Sequence, residues 1–151
     1  MSQRPPRPQG SPWLTPYLVV KDADAAIAFY QKAFGFEKRM AMKGPDGKTG
    51  HVEMVYRDAM IMFGPVCAQP KSDWPHKPPV MSQVVSPIAL YVYCDDVDGL
   101  FTRATAAGAR AIKPPKDEFY GDRVCSLEDL DGYWWYFATN VADFDPKKAP
   151  Q

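Results

Sequence analysis

The sequence lacks the features of several specialised protein classes. It has no excess charge, because 18 lysines and arginines balance 18 aspartates and glutamates, so it offers no electrostatic footprint for nucleic acid or an anionic membrane. It has no run of about 20 apolar residues, the length that a membrane helix needs. Its first residues, MSQRPPRPQGSP, contain no apolar core of a secretory signal. These absences predict a soluble protein without a nucleic-acid or membrane partner.

Cysteine is scarce as well, with only Cys67, Cys94 and Cys125 in the chain. An odd number without metal-type spacing argues against both a disulfide framework and a zinc site. Cys94 and Cys125 lie in apolar runs and are expected to be small buried residues. The thiols therefore predict a cytoplasmic protein.

What is present is one domain between two polar tails. Residues 1–12 are rich in proline and poor in apolar side chains, which predicts a flexible tail. Residues 13–140 form the domain, as a first module over 13–64, a proline-rich loop over 65–87 and a second module over 88–140. A loop of that length is usually functional or mobile. Residues 141–151 form a polar tail.

The first module reads as β-α-β-β-β. WLTPYLVV predicts a strand, and the helix after it takes Asp22 as N-cap and stops at Gly35. FEKRMAMK, HVEMVY and AMIMFG follow as strands, with Arg57 and Asp58 in a tight turn.

The second module has the same order. IALYVYC is a strand, and its helix takes Asp95 or Asp96 as cap and stops near Gly108. ARAIK, DRVCSLED and YWWYFAT are the last strands, and Gly132 supplies the positive φ of the turn DLDG. Asp129 and Asp131 are read as turn residues.

The two modules form an internal repeat with an offset of 74 residues. This offset places Asp22 on Asp96, and RDAMIMF on DGYWWYF. The helices need a gap of one residue near Phe29. Repeated units bury their apolar sides against each other. The prediction is an α+β fold in which two tandem βαβββ modules form a pseudo-symmetric, partly closed mixed sheet with a central concave pocket.

Three segments resemble one family in order and spacing. PYLVVKDADAAIAFYQKAFGFEKR, CDDVDGLFTRATAAGARAI and FYGDRVCSLEDLDGYWWYFAT are similar to the opening, middle and closing segments of the vicinal-oxygen-chelate superfamily. That superfamily includes glyoxalase I, extradiol dioxygenases and bleomycin-resistance proteins. The FYGDR and ATN pieces resemble its uncharacterised glyoxalase-like subgroup, often labelled PhnB-like.

In metal-dependent members, four His or Glu ligands come from the first and last strand of each module. The resemblance places these positions at Thr15, Met62, Ala89 and Tyr136, and the 74-residue offset pairs them the same way. A methyl group, a thioether, a neutral hydroxyl and a phenol are poor ligands for a hard or borderline cation. We therefore expect no metal cofactor, and neither glyoxalase nor dioxygenase activity.

Two residues could form a displaced metal or acid–base pair. His51 and Glu53 share one side of a strand. A structural hydrogen bond is the favoured interpretation, because the sequence supplies no further ligands for them.

Because side chains alternate between the two sides of a strand, several aromatic residues share a side with Thr15, Met62, Ala89 and Tyr136. Tyr17, Tyr91 and Trp134 follow their parity and would line the same concave side, as an aromatic wall or as core. Asp122 and Arg123 are either a polar rim, with Arg123 touching the ligand, or an ion pair that stabilises the turn.

These residues predict a binding protein rather than an enzyme. Its partner would be a small hydrophobic or aromatic molecule held between the modules, and the resemblance implies a homodimer. Two alternatives remain: a metal-dependent lyase, isomerase or dioxygenase using His51 and Glu53, or a structural domain without a ligand.

Overall fold

The computed structural model describes residues 4–67 and 74–150. The fold is α+β and consists of two similar modules, as predicted. The elements of the first module are β1 (Tyr17–Val20), α1 (Ala23–Phe29) with a π-helical extension (Tyr30–Phe34), β2 (Glu37–Lys43), β3 (Thr49–Tyr56) and β4 (Ala59–Pro65). Those of the second part are α2 (Pro79–Ser82), β5 (Ala89–Tyr93), α3 (Val97–Ala106), β6 (Arg110–Asp117), β7 (Asp122–Glu128), β8 (Trp134–Asn140) and a 3-10 turn (Pro146–Lys148).

Each module contributes one four-stranded mixed sheet. The order is β1-β4-β3-β2 in the first sheet and β5-β8-β7-β6 in the second. The predicted repeat appears in the parallel pairs, since Tyr17 lies opposite Met62 and Tyr91 lies opposite Tyr136, both 74 residues further on. Within the described residues, neither sheet closes into a barrel.

Both principal helices begin at the predicted caps. The Asp22 carboxylate accepts from the Ala25 N–H at 2.9 Å, and the Asp96 carboxylate accepts from the Gly99 N–H at 3.0 Å. The first helix ends at Gly35, whose φ of 77° is costly for a residue with a Cβ. The turn glycine Gly132 also has a positive φ, of 90°.

The helices cover one side of the sheets and join the modules in a shared core. Phe34, at the end of the first helix, lies 4.7 Å from Phe137 and 5.1 Å from Trp135 between ring centroids. Tyr30 donates to the Asp129 carboxylate at 2.7 Å. The hydrophobic core therefore crosses the boundary between the two repeats.

Three element boundaries differ from the sequence prediction. The first strand begins at Tyr17 rather than at Trp13, although the Pro16 carbonyl still accepts from the Met62 N–H at 2.9 Å. Strand β6 continues through Pro114 and Pro115 to Asp117, which is possible because β6 is an edge strand and needs fewer N–H donors. The proline-rich loop contains the short helix α2, and its residues 68–73 lie outside the described part. No helix of the described residues is long and apolar enough to cross a membrane.

Candidate functional site

The side of the second sheet that the helices leave uncovered carries four of the eight predicted ligand-binding residues. We call it the open face and define it by Ala89, Tyr91, Tyr93, Asp122, Val124, Ser126, Glu128, Trp134 and Tyr136. The strand pairing brings these side chains together, since Ala89 lies opposite Trp134 and Tyr91 opposite Tyr136. The covered side carries Trp135 and Phe137, which are fully buried.

Three tyrosines form an aromatic cluster on the open face. The rings of Tyr91 and Tyr136 are stacked, with centroids 6.2 Å apart and an interplanar angle of 17°. Tyr93 meets Tyr91 edge-on at 5.5 Å. Tyr91 and Tyr93 remain 45% and 57% exposed, so their rings are available to a ligand.

A buried carboxylate holds two of these tyrosines. Asp122 accepts from the hydroxyls of Tyr91 at 2.9 Å and Tyr93 at 2.8 Å, and from the Asn140 amide at 3.0 Å. Burial alone would raise the pKa of Asp122, but these hydrogen bonds outweigh it and hold the pKa below its ordinary value. Burial and the bond to Asp122 raise the pKa of Tyr91. The phenols are therefore neutral donors around a fixed anion.

Trp134 lies at one end of the open face, whereas Arg123 does not belong to the open face. The Trp134 indole donates to Glu128 at 2.9 Å, at the end of the open face where Glu128 also binds Arg110. Arg123 lies on the opposite side of the sheet, and its guanidinium binds Asp98 at 2.7 Å and Asp117 at 2.9 Å. Asp122 and Arg123 do not pair, because adjacent strand residues face opposite sides.

The predicted residues of the first module form a separate group on the first sheet. Tyr17 and Met62 are cross-strand neighbours. Tyr17 also stacks on His51, with its hydroxyl 3.3 Å from His51 Nδ1, and meets Trp74 edge-on at 5.6 Å. Thr15 precedes the strand and is half-buried.

The His51–Glu53 pair has other partners. His51 Nε2 lies 3.7 Å from the Glu53 carboxylate, and Arg39 approaches that carboxylate at 3.4 Å. Over residues 4–67 and 74–150, no three His, Cys, Asp or Glu side chains are grouped so as to hold a metal ion. The donor atoms at Thr15, Met62, Ala89 and Tyr136 do not fit a divalent cation either, since none is a carboxylate or an imidazole.

Two cavities border these groups. A groove of about 410 Å³ runs between the modules and is lined by Leu14, Pro16, Met60, Ala89 and Tyr91, among others. A second cavity, of about 400 Å³, lies on the open face beside Tyr136. Both have the size of small-molecule pockets.

The sequence interpretation did not single out Tyr93 or Ser126 and did not identify Asp122 as the hydrogen-bond acceptor of two tyrosines. The alternation that placed Tyr91 on this side also applies to Tyr93. Asp122 and Ser126 required the register of β7 against β8, in which Ser126 lies opposite Tyr136.

The fold defines a class of α+β proteins made of two similar βαβββ modules. Residues 12–137 match the Glyoxalase/Bleomycin resistance protein/Dioxygenase superfamily, and the chain belongs to this superfamily, as its resemblance implied. It is 33% identical over 135 residues to an uncharacterised protein of Mycobacterium bovis, covering 87% of this chain and 86% of that protein.

Solved structures share the fold. A glyoxalase/bleomycin resistance protein/dioxygenase family enzyme from Burkholderia phytofirmans has a TM-score of 0.62 at 22% identity, over 83% of this chain and 95% of that one. A mutant of the fosfomycin resistance protein FosX from Listeria monocytogenes, solved with Mn(II) and 1S,2S-dihydroxypropylphosphonic acid, has a TM-score of 0.61 at 17% identity, over 91% and 93%. Identities this low show a common fold alone.

Proposed function

We propose that this protein binds a small planar, aromatic or amphipathic molecule on the open face without a metal ion. The observation that carries the proposal is the stacked pair Tyr91–Tyr136 beside exposed Tyr93, with buried Asp122 accepting hydrogen bonds from Tyr91 and Tyr93. A flat ligand would lie against these rings and extend toward the groove between the modules.

The cluster is suited to binding because two of its rings are held before a ligand arrives. The hydroxyls of Tyr91 and Tyr93 share one carboxylate, so these side chains lose little further rotational freedom on binding. Aromatic contacts contribute about 0.5–1.5 kcal/mol beyond the burial of area. The hydroxyls of Tyr91 and Tyr93 are already paired with Asp122, which leaves their ring surfaces for the ligand.

Metal-free binding is supported by the chemistry of the four positions. FosX was solved with Mn(II), yet Thr15, Met62, Ala89 and Tyr136 of this chain offer no carboxylate or imidazole where the family's metal ligands are expected. Shape and stacking would therefore orient the ligand here.

A ligand screen by thermal denaturation tests the proposal. A compound at 100 times its Kd stabilises the protein by about 2.7 kcal/mol, which gives a clear rise in Tm. Replacing Tyr136 or Tyr91 by leucine should reduce that rise by weakening binding about tenfold, since one stacked contact of about 1.4 kcal/mol is lost. Each variant is compared with its own ligand-free Tm.

Tyr56→Leu is the matched control. Tyr56 packs against Phe36 on the helix-covered side of the first sheet, so its loss should lower the ligand-free Tm but preserve the ligand-induced rise. An aromatic screen that raises the Tm of no sample, or a rise that Tyr91→Leu and Tyr136→Leu leave intact, would contradict binding at the open face and favour a structural domain.

A metal-dependent activity is the second candidate, favoured by the position of Tyr17, His51 and Glu53 in one group. Metal binding at this group would require the Glu53 carboxylate to give up its ion pair with Arg39. Metal content after dialysis against trace zinc, nickel, manganese and iron separates the two candidates. Close to one equivalent per chain, lost in His51→Ala, would replace the metal-free proposal, whereas less than about a tenth of an equivalent supports it.

The proposal includes a cytoplasmic homodimer. Two large exposed apolar side chains belong to the groove or directly precede its lining in the chain: Leu14, exposed at 85%, and Ile88, exposed at 67%. A second copy covering them would also shield the open face from water. Sedimentation velocity should therefore give about twice the mass of one chain, and a monomer would contradict this part of the proposal.

A further inference from the structure

The second cavity lies between strands β6, β7 and β8 and borders the aromatic cluster. Its polar lining comes from Lys113, Lys116, Glu118, Tyr120, Ser126 and Tyr136. Tyr136 belongs both to this lining and to the stacked pair with Tyr91. A molecule lying on the tyrosine rings would therefore reach the cavity with one end.

Ser126 is an unusual member of this lining. It is 2% exposed, and in the described part of the chain its Oγ is the buried side-chain polar atom without a hydrogen-bond partner. Buried hydroxyls are normally paired, because leaving one unpaired costs stability. An unsatisfied hydroxyl at the floor of a cavity points to a partner that the protein itself does not supply.

A bulge in β6 brings two lysines to the same side as Ser126. Lys113 lies opposite Ser126 and Lys116 opposite Val124, and the register shifts between the two lysines. Residues three apart in a regular strand face opposite sides, but the extra residue at Pro114–Pro115 turns both lysines toward the cavity. Neither proline can donate to the ladder, which is tolerated because β6 is an edge strand.

The charged residues that line the cavity favour a ligand with a single negative charge. Among the lining residues, Lys113 and Lys116 stand against Glu118, which leaves one net positive charge. The Asp122 carboxylate lies outside this lining and is already bound by Tyr91, Tyr93 and Asn140. Glu128, at the far end of the open face, is already bound to Arg110 and to the Trp134 indole. A carboxylate, with its one charge, matches this balance better than a doubly charged phosphate.

Resting on the function proposed above, we propose that this cavity binds the carboxylate of an aromatic acid whose ring lies against Tyr136. The Ser126 hydroxyl and the Tyr136 phenol donate hydrogen bonds to the carboxylate oxygens. Lys113 and Lys116 supply the positive charge and cover it from β6. The ligand class is therefore a flat acid rather than a neutral or cationic aromatic.

Two probes of nearly equal shape, 2-naphthoate and 2-naphthamide, test the charge directly by calorimetric titration. The wild-type protein should bind the carboxylate at least about tenfold more tightly, because hydrogen bonds to a charged acceptor are roughly twice as strong as neutral ones. Replacing both Lys113 and Lys116 by glutamine should remove most of that preference and leave the amide affinity unchanged. Lys38→Gln, at an exposed lysine in the edge strand of the other module, should leave both affinities unchanged.

Ser126→Ala gives a second signature. The variant should bind 2-naphthoate about tenfold more weakly, while its ligand-free Tm stays the same or rises, because the unpaired buried hydroxyl is gone. A residue with a purely structural role would lower the Tm and leave the ratio of the two affinities unchanged.

The outcomes separate the inference from the function beneath it. If the acid and the amide bind equally and Tyr136→Leu weakens both, the carboxylate subsite is overturned and aromatic binding at the open face stands. If the acid is preferred but the two lysines and Ser126 do not affect it, the subsite is overturned as well. If neither probe binds, the inference falls, and the wider screen with Tyr91→Leu decides the function separately.

Discussion

At the residue scale, Asp129 and Asp131 occupy the turn between the last two strands, and both are buried. Asp129 accepts from Tyr30 at 2.7 Å and from the Trp135 indole at 2.9 Å. Asp131 accepts from the backbone N–H of Lys21 at 2.7 Å. The sequence identified them as turn residues, and the structure shows that they also join the two modules.

The environment of Asp131 predicts a pH dependence. Burial, opposed by the Lys21 N–H and reinforced by nearby Asp129, raises the pKa of Asp131 to about 6. The folded protein then binds more protons than the unfolded chain between about pH 4 and 6, so this residue lowers the free energy of unfolding as the pH rises through that window, by roughly 3 kcal/mol. Burial raises the pKa of Asp129 as well.

Urea denaturation of Asp131→Asn across pH 4–7 checks this expectation. Asparagine keeps the acceptor for Lys21 but cannot ionise, so the variant should gain stability relative to wild type as the pH rises. Carboxylates with lowered pKa values such as Asp98 and Asp122 act equally in both proteins, so the difference reports Asp131 together with its coupled neighbour Asp129. A flat difference between Asp131→Asn and wild type across this pH range would contradict the prediction.

The sequence predicts which side of a strand a residue occupies better than it predicts what the residue contacts. Alternation places Tyr91 and Tyr136 together, and the structure makes them neighbours. It does not show that Asp122 accepts from two tyrosines or that Ser126 lacks a partner, because both depend on strand register and on atoms distant in sequence. Arg123 joined the predicted ligand contacts for the same reason, although its side chain faces Asp98.

At the scale of the elements, the two principal helices begin in the same way. Asp22 and Asp96 have the same φ of −142° and each accept from the backbone N–H three residues on. Replacing either by alanine should lower the free energy of unfolding by about 1 kcal/mol, and the two losses should add, because distant sites act independently. Chemical denaturation of the single and double variants measures this.

Serine at either position is the control, since its hydroxyl also caps a helix. Asp22→Ser and Asp96→Ser should retain most of the stability lost in the alanine variants. Equal losses for serine and alanine would show that the carboxylates act through some other contact.

Helix starts and stops were predictable because they depend on local chemistry. Asp22, Asp96 and Gly35 satisfy backbone groups within four residues of themselves. Strand limits and the π-helical extension over Tyr30–Phe34 were not, since they depend on neighbours distant in sequence. The segment KPPKD is typical of a sequence that ends a strand. It nevertheless continues β6, because no further strand that the structure describes pairs with that edge of the sheet.

At the scale of the whole molecule, the two repeats share one core rather than two. Phe34 is fully buried and packs on Trp135 and Phe137 of the other module. Phe34→Ala should cost about 3–5 kcal/mol and should destabilise both sheets together. Hydrogen exchange read separately on β3 and β7 should show equal losses of protection.

Phe144→Ala serves as the control, because Phe144 is 60% exposed and its loss should change stability by about 0.5 kcal/mol or less. Loss of protection confined to β3 would mean that the modules unfold separately, contrary to the shared core.

The α+β class and the repeated βαβββ order could both be predicted, because matching residues recur 74 positions apart in the sequence. The sequence alone did not show that the modules form two separate four-stranded sheets, with Tyr17 and Met62 on one and Tyr91 and Tyr136 on the other. That separation depends on how the helices pack between them.

The 74-residue offset relates one matched pair, Tyr17 and Tyr91, and one unmatched pair, Met62 and Tyr136. Two identical chains would be obliged to carry every substitution twice, once on each side of their symmetry axis. Here the copies are joined end to end, so one can exchange a thioether for a phenol while the other keeps it. Joining the copies thus lets a single substitution create chemistry that a symmetric pair could never confine to one side.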